Sequence, residues 1–307
     1  MKKLITILLI MLMLPTILPT ALAWGPVTHQ EMGEEFFRRG TSTVAKECTS
    51  YQKEFFAGMM VPDVSVIYYY SHPKTYQSTH NINFLNNIFL NARADHPEER
   101  CFAYGVATHL VQDDVSHNIY IPESIKKYNI PNNIIHPFME AIPESHIINL
   151  YPVTYQRAIH SMDILFLESP NYNPRLLQMV KDALGPTAPL DAEKEARNLA
   201  YALGGFYDQA FKNPDMSFLG KFWSSAAFVL SKTTSYDAMK PLMVESVDKT
   251  DEIFLHWDAR FTLSPHGFES LKAADNSINF LQTLLFVGLI IVVIVMVIWF
   301  LRSKKRR

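Results

Sequence analysis

Cysteine is scarce: Cys48 and Cys101 are the only two in 307 residues. Two thiols exclude an all-thiolate structural zinc site, so any metal must rest mainly on His, Asp and Glu. In an oxidising compartment the two cysteines can pair as a disulfide. Stretches that alternate apolar and polar residues are also few, which disfavours a sheet-based fold. Internal repeats are absent, and so is low-complexity sequence outside the two ends. The chain has no net basic charge, with 28 Lys and Arg against 30 Asp and Glu. Setting aside Lys2, Lys3 and the five basic residues after Leu301 leaves 21 against 30, about −9 for the body. Such a surface is poor for non-specific nucleic-acid binding, which depends on Lys and Arg neutralising phosphates.

The ends differ sharply from the body. Lys2 and Lys3 precede an apolar stretch from Leu4 to about Leu14, and Ala21-Leu22-Ala23 offers the small residues that a signal peptidase reads. Residues 1–23 are therefore expected to be a signal peptide, with Trp24 the mature N-terminus. At the other end no charged residue occurs between Asp275 and Arg302. Residues 279–301 are long and apolar enough for a transmembrane helix. The tail at 302–307 holds Arg302, Lys304, Lys305, Arg306 and Arg307, which puts that end in the cytoplasm. Residues 24–275 are then one extracytoplasmic domain of a single-pass cell-membrane protein.

Within that domain, apolar residues recur at helical spacing over 29–40, 83–93, 99–118 and 190–212, so the fold class is expected to be all-α. Asp191 is placed to cap the last of these segments. Val64 to Tyr70 is the best strand candidate, after a Pro-Asp turn. Residues 231–275 are more polar and are expected to include a linker to the span.

The most pointed local pattern is His109-x-x-x-Asp113-x-x-x-His117. On a helix, positions i, i+4 and i+8 share a face, and imidazole and carboxylate are the ligands zinc takes when no thiolate is offered. An otherwise apolar helix would hold unpartnered charge there only at a cost. His136 and Glu140 form another His-x-x-x-carboxylate pair, with Glu144 and His146 as rivals. Upstream lie Trp24, His29, Asp63 after a proline, and His80 opening a helix, with His72 a nearby competitor. Asn81, Thr108, Asp114 and Asn118 are candidates to orient the histidines from behind.

Taken in order, these residues resemble the zinc-dependent phospholipase C family and its single-strand nuclease relatives. The resemblance spans about Trp24 to Glu140 and implies a multi-helical single domain. It implies that Asp63, His80, His109 and Asp113 hold one zinc. Trp24, through its free amine and carbonyl, His29 and the shared Asp113 hold a second. His117, His136 and Glu140 hold a third. Asp63 doubles as the catalytic base. Better-known members leave five residues between the helix aspartate and the next histidine, whereas three intervene here, which marks a divergent branch.

The implied function is a membrane-tethered, zinc-dependent phosphodiester hydrolase acting on phospholipid or a related phosphodiester. Tethering raises the effective concentration of a bilayer substrate. A single-strand nuclease on the same scaffold is an alternative, which the acidic body disfavours. A non-catalytic zinc-binding membrane protein is another.

Overall fold

The computed structural model describes residues 25–68, 78–120, 143–144, 146–147, 150–166, 168–185, 191–198 and 236–256. Every regular element among them is helical, so the fold is all-α. Trp24, His72, His136, Glu140, the segment 279–301 and the basic tail lie outside the described residues. Among the described residues no helix is long and apolar enough to cross a membrane.

The chain order begins with α1 (Pro26–Arg39), α2 (Thr43–Cys48) and α3 (Gln52–Met60), the last two joined by a 3₁₀ turn at Thr49–Tyr51. A second 3₁₀ turn covers Pro62–Tyr68, before α4 (Ile82–Asn91) and α5 (Pro97–Val115). A π turn at Ser116–Tyr120 follows, then α6 (Pro152–Ser161), α7 (Pro174–Leu184) and α8 (Tyr236–Leu255). Residues 192–198 are also helical. Asp191 caps this segment as expected, its Oδ1 accepting from the Lys194 amide at 3.3 Å.

The fold is built around α5, in which every residue from Cys101 to Val115 is buried. A helix covered on all sides belongs at the centre of a core. Its closest neighbour is α3, and glycine makes the approach possible. A Cβ on Gly58 would overlap the Phe102 carbonyl, and one on Gly105 would overlap the Phe55 carbonyl. Cys48 at the end of α2 is disulfide-bonded to Cys101 on α5, with the Cα atoms 5.4 Å apart. Phe36 of α1 stacks on Phe55 of α3, ring centres 5.6 Å apart, and meets Phe254 of α8 edge-on at 5.8 Å. The helix α8 buries Met239, Met243 and Val247 at one-turn spacing, closing the core from the chain's later half.

Two sequence expectations change, and one helix is added. Val64 to Tyr68 is part of a 3₁₀ turn, not a strand: Pro62 and Asp63 start the turn, and Val64 is buried in the helical core. Part of 231–275 is the 20-residue helix α8, which composition alone did not suggest, and the expected linker beyond it lies outside the described residues. The α-helix carrying His109 and Asp113 ends at Val115, and His117 falls in the π turn. A π turn closes i→i+5 bonds, so the α-helical i+8 register does not extend to His117.

Candidate metal centre

His29 sits near the start of α1, where Gly25 is the N-cap and Pro26 the first helical residue. Proline suits that position because its missing N–H needs no partner there. The next two free amides are taken by Glu144: Val27 N–H donates to Oε2 at 3.2 Å and Thr28 N–H to Oε1 at 2.6 Å. Glu144 is buried, and its negative charge lies at the positive end of the helix dipole. A side chain at position 25 would overlap this carboxylate, so glycine fits there. Glu144, a rival ligand in the sequence, thus holds the entry of the helix that carries His29.

Asp63 starts the Pro62–Tyr68 turn and is buried. The turn is pinned from behind by Thr79, whose hydroxyl donates to the Pro62 carbonyl at 2.7 Å and lies 2.5 Å from Ser65 Oγ. His80 follows Thr79. Asn81 then caps α4, its Oδ1 accepting from the Phe84 amide at 2.9 Å. His109 and Asp113 stand one turn apart on α5, both buried.

These five side chains converge. The two oxygens of Asp113 face different partners. Oδ1 lies 3.2 Å from His29 Nε2, while Oδ2 lies 3.2 Å from His109 Nε2 and 3.8 Å from His80 Nε2. Asp63 Oδ1 completes the second set, 3.6 Å from His80 Nε2 and 3.8 Å from His109 Nε2. The rings of His29 and His109 stack with centres 4.0 Å apart.

The donor set fits a divalent cation. Zinc–nitrogen and zinc–oxygen bonds are about 2.0–2.2 Å, so ligand atoms around a tetrahedral ion stand roughly 3.3–3.6 Å apart. The separations here, 3.2 to 3.8 Å, bracket that spacing. His29 Nε2, His109 Nε2, Asp63 Oδ2 and Asp113 Oδ1 are buried and make no hydrogen bond. Buried polar atoms normally find partners, and these belong to the residues that converge at Asp113 and Asp63. The residues grouped closely enough to hold one ion are His29, Asp63 and His109, and also His80, His109 and Asp113.

For Asp113 and His109 the electrostatics support the same picture. Burial works against the Asp113 carboxylate, yet His109 and His29 hold its pKa well below the ordinary 3.8. Burial also opposes charge on His29, but Asp113, with smaller help from Asp63 and Gln112, leaves its pKa raised above 6.5. For His109 burial wins, aided by the charge of His29, and its pKa falls below 6.5. An aspartate kept ionised beside a histidine kept neutral is what metal ligation requires.

The expected orienting residues mostly do other work. The Thr108 hydroxyl donates back to the Tyr104 carbonyl at 2.9 Å. Asn118 donates to Asp114 Oδ1 at 2.7 Å, and Lys249 of α8 pairs with Asp114 Oδ2. That bond ties α8 to the buried helix, and Asp114 is buried rather than exposed. The residues found against the imidazoles are Gln112, with Oε1 2.7 Å from His29 Nδ1, and Thr79, with Oγ1 3.1 Å from His80 Nδ1. Sequence reading missed both, since no spacing links position 112 to position 29.

A further group, His96, Glu98 and Glu99, is close enough for an ion, but Glu98 already pairs with His96 and Glu99 with arginine. Arg93 donates to both oxygens of Glu99, from its backbone at 2.9 Å and its Nε at 2.8 Å, and Arg175 adds a third contact at 3.4 Å.

Comparisons with known proteins match part of the chain. An uncharacterized protein of Archaeoglobus fulgidus is 28% identical over 119 residues, which covers 38% of this chain and 32% of that protein. The match thus spans about a third of that relative's length. No solved structure matches. The family model of zinc dependent phospholipase C matches residues 28–183, a span that holds His29, Asp63, His80, His109 and Asp113. The chain belongs to the zinc dependent phospholipase C family.

Proposed function

We propose that this protein is an exported, membrane-tethered phosphodiester hydrolase of the phospholipase C type. The observation that carries the reading is the convergence of Asp63, His80, His109 and Asp113 at tetrahedral-ligand spacing, with His29 on the other oxygen of Asp113. Asp63, His80, His109 and Asp113 are assigned to one zinc, and Trp24, His29 and Asp113 to a second. His117, His136 and Glu140 are assigned to a third. Residues 1–23 are removed on export, 24–275 form the extracytoplasmic domain, and 279–301 anchor it with 302–307 in the cytoplasm.

Bound zinc supplies charge neutralisation at the phosphoryl oxygens and activation of water near neutral pH. The chain supplies the rest. Asp113 holds the two histidine sets at fixed separation. Asp63 accepts the proton of the attacking water at Oδ2, the oxygen that takes no hydrogen bond from the surrounding helices. The buried setting of α5 excludes bulk solvent and keeps each donor in place before substrate arrives.

The test is hydrolysis by the mature full-length chain of a phosphatidylcholine vesicle, a soluble phosphodiester and single-stranded DNA, each with and without a zinc chelator. The expected result is release of the phosphorylated headgroup that stops with chelator and returns with added zinc. Preferential cleavage of the DNA would move the reading to a nuclease. Turnover unaffected by chelator would contradict the zinc chemistry.

A further inference from the structure

We infer that Gln112 is the positioning residue that presents His29 to the metal centre, using a neutral amide oxygen. The inference rests on the reading of His29 as a metal ligand. Gln112 is fully buried on α5, next to Asp113 in sequence, and its Oε1 lies 2.7 Å from His29 Nδ1. An amide oxygen accepts and cannot donate, so Nδ1 carries the ring proton. That leaves Nε2 as the nitrogen turned toward Asp113 Oδ1 at 3.2 Å. The ring has no freedom to turn away, because its face is stacked on His109. One helix therefore supplies three constraints on a histidine that arrives from a different helix: a ring face, a proton acceptor and a facing carboxylate.

The choice of an amide has a consequence. Metal-bound histidines commonly give their outer N–H to a carboxylate or a carbonyl, which fixes the tautomer and raises ligand basicity. Here Asp63 and Asp113 already place two carboxylates in a buried site. A third would add charge where desolvation is most costly. Gln112 fixes the tautomer without adding that charge. His80 is treated alike, its Nδ1 facing the neutral Thr79 hydroxyl.

The test uses the mature full-length chain as wild type, Gln112→Leu, Gln112→Met and Gln112→Glu. Zinc affinity is read by chelator competition, and the cobalt-substituted protein by its visible absorption. Gln112→Leu and Gln112→Met are expected to weaken one zinc site by about 10–100-fold and to alter the cobalt spectrum. Gln112→Glu keeps an acceptor but adds a buried charge, so its affinity is expected to fall between that of the apolar variants and wild type. In a His29→Ala background, Gln112→Met should weaken zinc no further, whereas a merely structural role would still show an effect. The methionine variant is close in length and carries the test if leucine prevents folding. Wild-type affinity in both apolar variants, or a loss from Gln112→Met that persists undiminished in the His29→Ala background, would overturn the inference alone. Absence of metal from the wild type would overturn the metal centre and this inference with it.

Discussion

Asp113 turns one oxygen toward His29 and the other toward His109 and His80, so acid titration should report on the centre even without metal. Two groups set the sign. The pKa of His109 is lowered from 6.5, so as pH falls below 6.5 the unfolded chain takes up a proton that the folded one refuses, and stability declines. The pKa of Asp113 is lowered below 3.8, so its contribution is complete above 3.8 and is lost as pH falls through its folded value. His29, with a raised pKa, contributes fully below 6.5 and loses its contribution only as pH rises through its folded value. Thermal unfolding of the metal-free protein should therefore show a stability maximum near pH 6.5, with loss on both sides. His109→Asn should flatten the limb just below 6.5, and Asp113→Asn the limb below 3.8. A profile identical in all three proteins would contradict the assigned charges. The His109–Asp113 pair was legible in the sequence because both residues lie on one helix face. Gln112 and Thr79 were not, because their partners are set by packing between helices rather than by spacing.

At the scale of elements, the centre depends on how closely α3 and α5 approach. Gly105→Ala places a methyl group against the Phe55 carbonyl, which cannot move without shifting α3. Overpacking of this kind costs typically 1–3 kcal/mol, and backbone rather than side chain must give way, so about 3 kcal/mol is expected. Denaturant unfolding of Gly105→Ala measures it, and an unchanged midpoint would show that the helices do not meet there. The helices themselves were readable from periodicity, since α1, α4 and α5 fall within a few residues of the expected segments. The misreadings have local causes. The Val64–Tyr70 segment has strand-like composition but follows Pro62-Asp63, which favours a tight turn. Composition also hid α8, because a helix that buries one stripe is polar over most of its surface.

At the scale of the molecule, the Cys48–Cys101 disulfide closes a loop of 53 residues around α3 and α4. Chain-entropy reasoning gives about 4 kcal/mol for a loop of that length, and native disulfides typically deliver roughly 2–4 kcal/mol. The double variant Cys48→Ala/Cys101→Ala should lose stability by about that amount in denaturant unfolding, and loss below about 0.5 kcal/mol would contradict a bridge that restrains the unfolded chain. The acidic body, the apolar segment at 279–301 and the basic tail form one charge pattern along the chain, and the pattern underlies the proposed orientation.

The most direct test is the zinc content of the full-length chain prepared with Trp24 as its first residue, beside its Asp113→Asn variant. About three zinc ions per wild-type chain are expected, and because Asp113 faces both histidine sets the variant should lose about two of them. A wild type without zinc, or a variant that keeps every ion, would contradict the centre described here.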